Sequence, residues 1–483
     1  MQHDVYGHTR DSARKQESRR LSDASAAERK QWLQRASFFH EEDLRYLKFL
    51  IPEGARVLEL GCGTGELLAA LRPSFGVGVD FSNGMIAQAR RSFPDLNFLA
   101  GDIEDVSFLR NLPGPFDAIV VVDTLGALDD CQQMLEQLHE LCTRETRLVI
   151  GYFSHLWYPA LKVAEAVGLK MPQPPQNVLS PADVGALAAL ADFETVKSEA
   201  RLLMPVRAFG LGRVVNRFLA PLPLVRGLSL RHYTICRSLR HRPHVRSATI
   251  VIPARNERGN IEAAVNRIPR FVDELEIVFV EGHSQDGTWE EIERVVAAYP
   301  ACDIKALRQP GIGKADAVFA GFEVGRGDVL MILDADLTMP PEQLPKFWEA
   351  IASGKGEFVN GTRLVYPMEQ QAMRFLNLVA NKIFSLLFSW LLSQRITDTL
   401  CGTKAICRSD YARLKRGRSY FGKFDPFGDF DLIFGASKLA LKIVEIPIRY
   451  TSRSYGQTQI SRFRHGFMLL RMVAFAYLRI KAM

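Results

Sequence analysis

The chain has 483 residues, 47% of them hydrophobic and 24% charged, with a formal charge of +7 at pH 7. That length is too great for one compact core, so two domains are expected, and the composition excludes a collagen-like or wholly disordered chain. The positive charge is modest but clustered, with Arg and His crowding residues 237–246 and Arg recurring toward the C-terminus. Such a pattern suits anionic lipid or diphosphate ligands as well as nucleic acid.

Seven cysteines, an odd number without C-x-x-C or His-rich spacing, indicate neither a disulfide framework nor structural zinc; a reducing cytoplasm is expected. Residues 1–30 are polar and lack the apolar core of a signal peptide, and residues 1–35 read as a disordered lead-in. The segment 36–238 reads as a first domain, 239–247 as a basic linker and 248–483 as a second domain.

Strand and helix patterns alternate from 56 to 152 as in a doubly wound sheet, with strands at Arg56–Leu60, Phe75–Val79, Asn97–Leu99, Phe116–Val122 and Thr146–Tyr152. Gly61, Gly63 and Gly65 follow the first strand directly, where small residues let the backbone approach a ligand at the sheet's carboxyl edge. Asp80 ends the second strand, placed for ribose hydroxyls. A dehydrogenase uses a similar turn, but three details favour S-adenosylmethionine: G-C-G-T-G in place of G-x-G-x-x-G, Glu59 inside the strand, and Gly101-Asp102-Ile103-Glu104 after the third strand.

On these residues, positions 40–205 resemble the class I S-adenosylmethionine-dependent methyltransferases. The resemblance implies that Glu59, Gly61, Gly63 and Gly65 line the methionine part of the cofactor, Asp80 holds the ribose and Asp102 sits at the adenine. A sulfonium methyl is already activated, so holding it in line with a nucleophile is the main requirement. His155 is a candidate base, with a surface or structural histidine as the competing reading.

A new apolar strand begins at Ala248, and Pro253-Ala254-Arg255-Asn256-Glu257 forms the loop behind it. Glu276–Val280 is a second strand, followed by Glu281-Gly282-His283-Ser284-Gln285-Asp286. A helix opens near Lys314. Val329–Leu333 then runs into Asp334-Ala335-Asp336, whose carboxylates point to one side at i, i+2 spacing. Such a pair is costly without a cation between them, and Mg2+ or Mn2+ bridging to substrate phosphate meets that need.

This half, about residues 248–465, resembles the inverting family-two glycosyltransferases of GT-A fold, in particular the branch that moves sugars onto polyprenyl phosphate (dolichyl-phosphate mannose or glucose synthase-like). The resemblance implies that Pro253, Arg255, Asn256, Glu257, Glu281 and Asp286 surround the nucleotide, with Lys314 beside the leaving group. It places Asp334 and Asp336 on the metal diphosphate, Asp398 toward the acceptor as a possible base, and Arg449 and Arg453 on an anionic acceptor group. Gly282 and Gln459 depart from the pattern, which commonly has Asp and Lys there. These departures favour a neutral hydroxyl acceptor over a phosphate.

No uncharged stretch reaches the length of a spanning helix. Residues 374–395 and 464–479 instead read as wide-faced amphipathic helices, either packed in the protein or lying at a membrane interface. The expected fold is α/β in two domains, a Rossmann-like class I methyltransferase fold followed by a GT-A glycosyltransferase fold. The expected function is a bifunctional transferase. It uses a nucleotide-diphosphate sugar, a divalent metal and a lipid-linked or membrane-proximal acceptor in one domain, and S-adenosylmethionine in the other. The alternative makes the first domain a non-catalytic binding or positioning module. The expected location is cytoplasmic and peripheral at the inner face of the cell membrane, without nucleic acid.

Overall fold

The structure, a computed structural model, describes residues 12–173, 176–363, 365, 375–420, 429–451, 455 and 462–483. They divide into two compact units, one running to His241 and including Ala482 and Met483, the other spanning Arg242–Lys481. The division falls inside the segment 239–247.

Each unit holds one seven-stranded mixed sheet among the described residues. In the first unit the strands are β1 (Arg56–Leu60), β2 (Phe75–Asp80), β3 (Asn97–Ala100), β4 (Ala118–Val122), β5 (Arg147–Phe153), β6 (Phe193–Arg201) and β7 (Arg231–Ser238), in the order β3-β2-β1-β4-β5-β7-β6. Strands β1 to β5 are parallel, and β7 inserts antiparallel between β5 and β6. Parallel strands are covered on both faces, which is why β1 and β4 are near-continuous apolar runs with Val57, Leu58, Ile119, Val120 and Val121 fully buried.

The chain reverses its direction across the sheet between β1 and β4. This topological switch opens a crevice outside their carboxyl ends, the usual ligand position in such sheets.

The second unit repeats the device with β8 (Ser247–Ala254), β9 (Glu274–Glu281), β10 (Asp303–Arg308), β11 (Val329–Ile332), β12 (Phe358–Thr362), β13 (Lys404–Cys407) and β14 (Ile443–Pro447). Their order is β10-β9-β8-β11-β13-β12-β14. Strand β11 pairs parallel with β8 and antiparallel with β13, so its switch crevice lies between the ends of β8 and β11. Ile250, Ile252, Phe279, Met331 and Leu333 belong to the core beneath it.

One expectation is corrected. The lead-in is not disordered over its described part: α1 (Ala13–Ser25) and α2 (Arg29–Arg35) are helical, and Arg14 and Ser12 fasten the start of α1 to Asp129. Within the Arg-rich stretch Arg240, Arg242 and Arg246 are exposed, whereas Arg237 belongs to β7, is 5% exposed and pairs with Glu194 at 2.7 Å.

Candidate functional site

At the switch crevice of the first unit, Gly61 has φ 80° and packs so tightly on Thr124 that any Cβ would strike that side chain. Thr124 donates to the Leu60 carbonyl at 3.1 Å, tying the end of β4 to the glycine loop. Asp80 accepts from the Gly63 and Ser82 amides, each at 2.9 Å, and so fixes the loop from below. Glu59 is 4% exposed with Oε2 lacking any partner, and burial pushes its carboxyl up to about 8.

The helices before β1 form part of this site, which the sequence reading missed. The Arg29 Nε lies 3.0 Å from where a Gly63 Cβ would stand and is buried without a hydrogen-bond partner. Asp23 accepts from Gly84 at 2.9 Å, and Lys15 pairs with Glu104 at 2.7 Å and with Asp102. Asp102 is therefore already engaged by α1. An orphaned carboxylate oxygen on Glu59 and an unpartnered guanidinium nitrogen on Arg29, beside a glycine loop, fit the ammonium and carboxylate of an amino-acid moiety such as that of S-adenosylmethionine.

Thr124 also lines an open cavity together with Asp123, Tyr152, Ser154, Tyr158 and Asn177. His155 is exposed and is not one of its lining residues.

In the second unit, Asp334 and Asp336 flank buried Ala335 and are both half-buried, as i, i+2 spacing predicts. Lys314 Nζ stands 2.6 Å from Asp334 Oδ1, and Gly402 packs against both groups. Burial opposes ionisation of Asp334, but Lys314, reinforced by Lys404 and Arg363, holds its carboxyl below the usual range. Asp336 accepts from the Thr338 amide at 3.1 Å and hydroxyl at 2.8 Å. Among the described residues no cluster of three His, Cys, Asp or Glu side chains exists that could enclose a metal. A cation held by two carboxylates and substrate phosphate fits this pair nonetheless, because the Lys314 ammonium already stands where positive charge is needed.

Around β8 and β9 the expected nucleotide residues fall into two groups. Arg255 is exposed, and Pro253 is half-buried at the strand end. The others brace the loops: Asn256 donates its amide to Ser284 and accepts from the Gln285 amide, Glu281 accepts from the Ser284 amide, and Glu257 accepts from Asn260 at 2.7 Å. Asp286 accepts from the Arg258 amide at 3.3 Å and from the amide of Thr288, the first residue of the following helix, at 3.1 Å. At Gly282, where the family pattern has Asp, a Cβ would meet the end of the Gln309 side chain at 2.9 Å.

Asp398 requires a correction. It is fully buried and forms a bidentate pair with Arg363, at 2.7 and 2.8 Å, instead of facing an open cleft. Burial opposes its charge, yet the Arg363 guanidinium keeps its carboxyl below the ordinary value, so it is a poor proton acceptor. Arg449 is exposed. Arg453 and Gln459 lie outside the described residues.

Both amphipathic segments bury one apolar face, yet each also leaves large apolar side chains exposed. In the helix Phe375–Leu392 the polar Asn381 and Ser385 are buried with Phe384 and Phe388, while Ile383 is 53% and Leu386 66% exposed. In the helix Arg462–Ala476 and the turn after it, Phe467, Leu470 and Leu478 are exposed beside Arg471. Among the described residues no helix is long and apolar enough to cross a membrane.

Comparison with known proteins gives matching assignments for both units. Residues 57–145 match the family described as Methyltransferase domain, and residues 249–416 that described as Glycosyl transferase family 2. The chain is similar to the dolichol-phosphate mannosyltransferase of Pyrococcus furiosus, 39% identical over 24% of this chain and 33% of the relative. It is also similar to the undecaprenyl-phosphate mannosyltransferase of Micrococcus luteus, 28% identical over 44% of this chain and 86% of the relative. The match spans about a third of the length of the first two curated relatives. Among solved structures, a SAM-dependent methyltransferase of Thermotoga maritima (possible histamine N-methyltransferase) aligns at 21% identity and a TM-score of 0.36, over 45% of this chain and 99% of its own. Glucosyl-3-phosphoglycerate synthase of Mycobacterium tuberculosis aligns at 19% and 0.37, over 50% and 84%.

Proposed function

Because the chain carries a methyltransferase domain followed by a family 2 glycosyl transferase domain, we propose that it is a bifunctional enzyme catalysing two group transfers. The second domain moves a sugar from a nucleotide-diphosphate sugar to a lipid-linked acceptor at a membrane surface. The first moves a methyl group from S-adenosylmethionine.

One observation carries the glycosyl reading: Lys314 and two half-buried carboxylates converge at the switch crevice of the second sheet. Asp334 and Asp336 would hold Mg2+ or Mn2+, which when bound supplies neutralisation of the donor diphosphate. Lys314 adds a positive charge beside the departing nucleotide. Arg255 and Pro253 line the nucleotide side, over loops braced by Asn256, Glu257, Glu281 and Asp286. Asp398 acts as a positioning residue that orients Arg363. With that carboxylate committed, the acceptor best suited to the site is one already ionised. A phosphate monoester, with a second pKa near 6, needs no base at neutral pH. Arg449 and Arg453 are the cations proposed to meet it, and the exposed Ile383, Leu386, Phe467 and Leu470 would rest in the membrane interface at its cytoplasmic face.

In the first domain, Glu59 and Arg29 would take the cofactor's amino-acid end, with Gly61, Gly63 and Gly65 beneath it, Asp80 at the ribose and Asp102 at the adenine. Isothermal titration of the full chain tests both halves: S-adenosylhomocysteine for one, GDP-mannose and UDP-glucose with Mn2+ for the other. Heat from both ligand classes is expected. No binding of either would end the proposal.

A further inference from the structure

The cavity beside Thr124 has a lining that specifies its occupant. Its ionisable groups are compensated: Glu165 pairs with Lys162 at 2.8 Å and with Lys170 at 2.6 Å, and Asp123 pairs with buried Arg231, which also holds Asp43 at 3.0 Å. Two ammoniums share one carboxylate in the first group and two carboxylates share one guanidinium in the second, so the charges cancel overall and the site as a whole favours neither an anionic nor a cationic ligand. What the lining offers instead is neutral polarity, in the amides of Gln176 and Asn177, with the Tyr158 ring as an apolar platform, while the Thr124 and Tyr152 hydroxyls already bond to the Leu60 carbonyl and to Thr234. Ser154 sharpens this, because it is 1% exposed and its Oγ has no hydrogen-bond partner. A buried hydroxyl left without a partner costs stability unless a ligand supplies one.

We propose that this cavity is the methyl-acceptor site, that it takes a neutral polyhydroxyl ring of the sugar class, and that Asp123 is the base for methylation of one of its oxygens. The proposal rests on the methyltransferase reading above. Position supports it, since Thr124 lines the cavity and packs against the glycine loop where the donor methyl is expected.

Charge arithmetic supports Asp123. One guanidinium serves two carboxylates, so a proton added to Asp123 leaves a balanced Arg231–Asp43 pair. Burial also raises the affinity of Asp123 for that proton, more than Arg231 lowers it. Asp123 accepts the hydroxyl proton as the acceptor oxygen bonds to the methyl carbon and the carbon–sulfur bond breaks, leaving its electron pair on sulfur. The products are a methyl ether, a neutral thioether and a proton that Asp123 releases to solvent.

The test uses the full chain saturated with S-adenosylhomocysteine and saturation-transfer NMR with three probes: methyl α-D-mannopyranoside, mannose 1-phosphate and glucosamine. The neutral glycoside is expected to bind best, and Ser154→Ala to weaken it about fivefold without lowering Tm, since that hydroxyl bonds to nothing in the protein. With S-adenosyl-[methyl-3H]methionine, Asp123→Asn is expected to cut label transfer to the glycoside by about 100-fold or more while S-adenosylhomocysteine affinity is retained. Preference for either charged probe, no glycoside binding, or wild-type transfer by Asp123→Asn overturns the proposal. Failure of S-adenosylhomocysteine itself to bind removes the underlying reading instead. Should Asp123→Asn misfold, the Ser154→Ala comparison decides the matter alone.

Discussion

Lys314 Nζ sits 2.6 Å from Asp334 Oδ1, and Gly402, from a loop seventy residues further along, closes on that pair so tightly that no side chain fits. Three distant segments thus meet at one charged contact. Gly402→Ala should force Asp334 and Lys314 apart and reduce glycosyl transfer by about 100-fold, with S-adenosylhomocysteine affinity unchanged in the same preparation. Steady-state turnover of a nucleotide sugar measures it, and wild-type turnover would show that the contact is not part of the site.

Asp336→Asn should abolish glycosyl transfer, because it removes one of the two carboxylates proposed to hold the divalent cation. Titration with Mn2+ in the presence of nucleoside diphosphate should show the cation affinity lost as well. Retained sugar turnover would refute the metal-clamp assignment.

Arg29→Ala should weaken S-adenosylhomocysteine binding by about tenfold or more, the scale of one charge-assisted hydrogen bond. Binding of 5′-methylthioadenosine, which lacks the amino-acid end, should be unaffected. An equal loss for both ligands would mean that Arg29 supports the fold and does not grip the carboxylate.

Glu59 gives a pH signature. Its carboxyl is pushed up to about 8 from an ordinary 4.5, so the folded protein keeps a proton that the unfolded chain releases. That contribution is complete below pH 4.5 and is lost as pH rises through 8, so stability should fall across this window. Glu59→Gln should flatten the decline in Tm measured from pH 5 to 8. An unchanged slope would show that Glu59 is ionised in the fold.

Asp398→Asn should destabilise the second domain by about 3–5 kcal/mol, because it leaves the Arg363 guanidinium buried without its counter-charge. Urea unfolding followed by a domain-specific probe reads this. A variant of full stability that has lost only turnover would restore Asp398 as a base.

Leu386→Glu combined with Phe467→Glu should reduce flotation with vesicles containing anionic phospholipid by about tenfold or more, with no change in Tm, since both side chains are exposed. Equal flotation would remove the membrane face.

The two α/β units, and the strand ends that carry the candidate site residues, are legible in the local residue pattern. A buried parallel strand must be an apolar run, and the residue types that end it (Gly61, Gly63 and Asp80 in one sheet, Asp334 and Asp336 in the other) follow at fixed local spacing. Antiparallel β7 escaped that reading because its Arg231-His232-Tyr233-Thr234 alternation looks like a solvated segment, although Arg231 is fully buried. Long-range packing is what brings Arg29 and Lys15 to the glycine-loop crevice, commits Asp398 to Arg363, and turns the polar stripe of Asn381 and Ser385 inward. Each depends on a partner far along the chain, and local periodicity holds no information about which distant charge or cavity a side chain will meet.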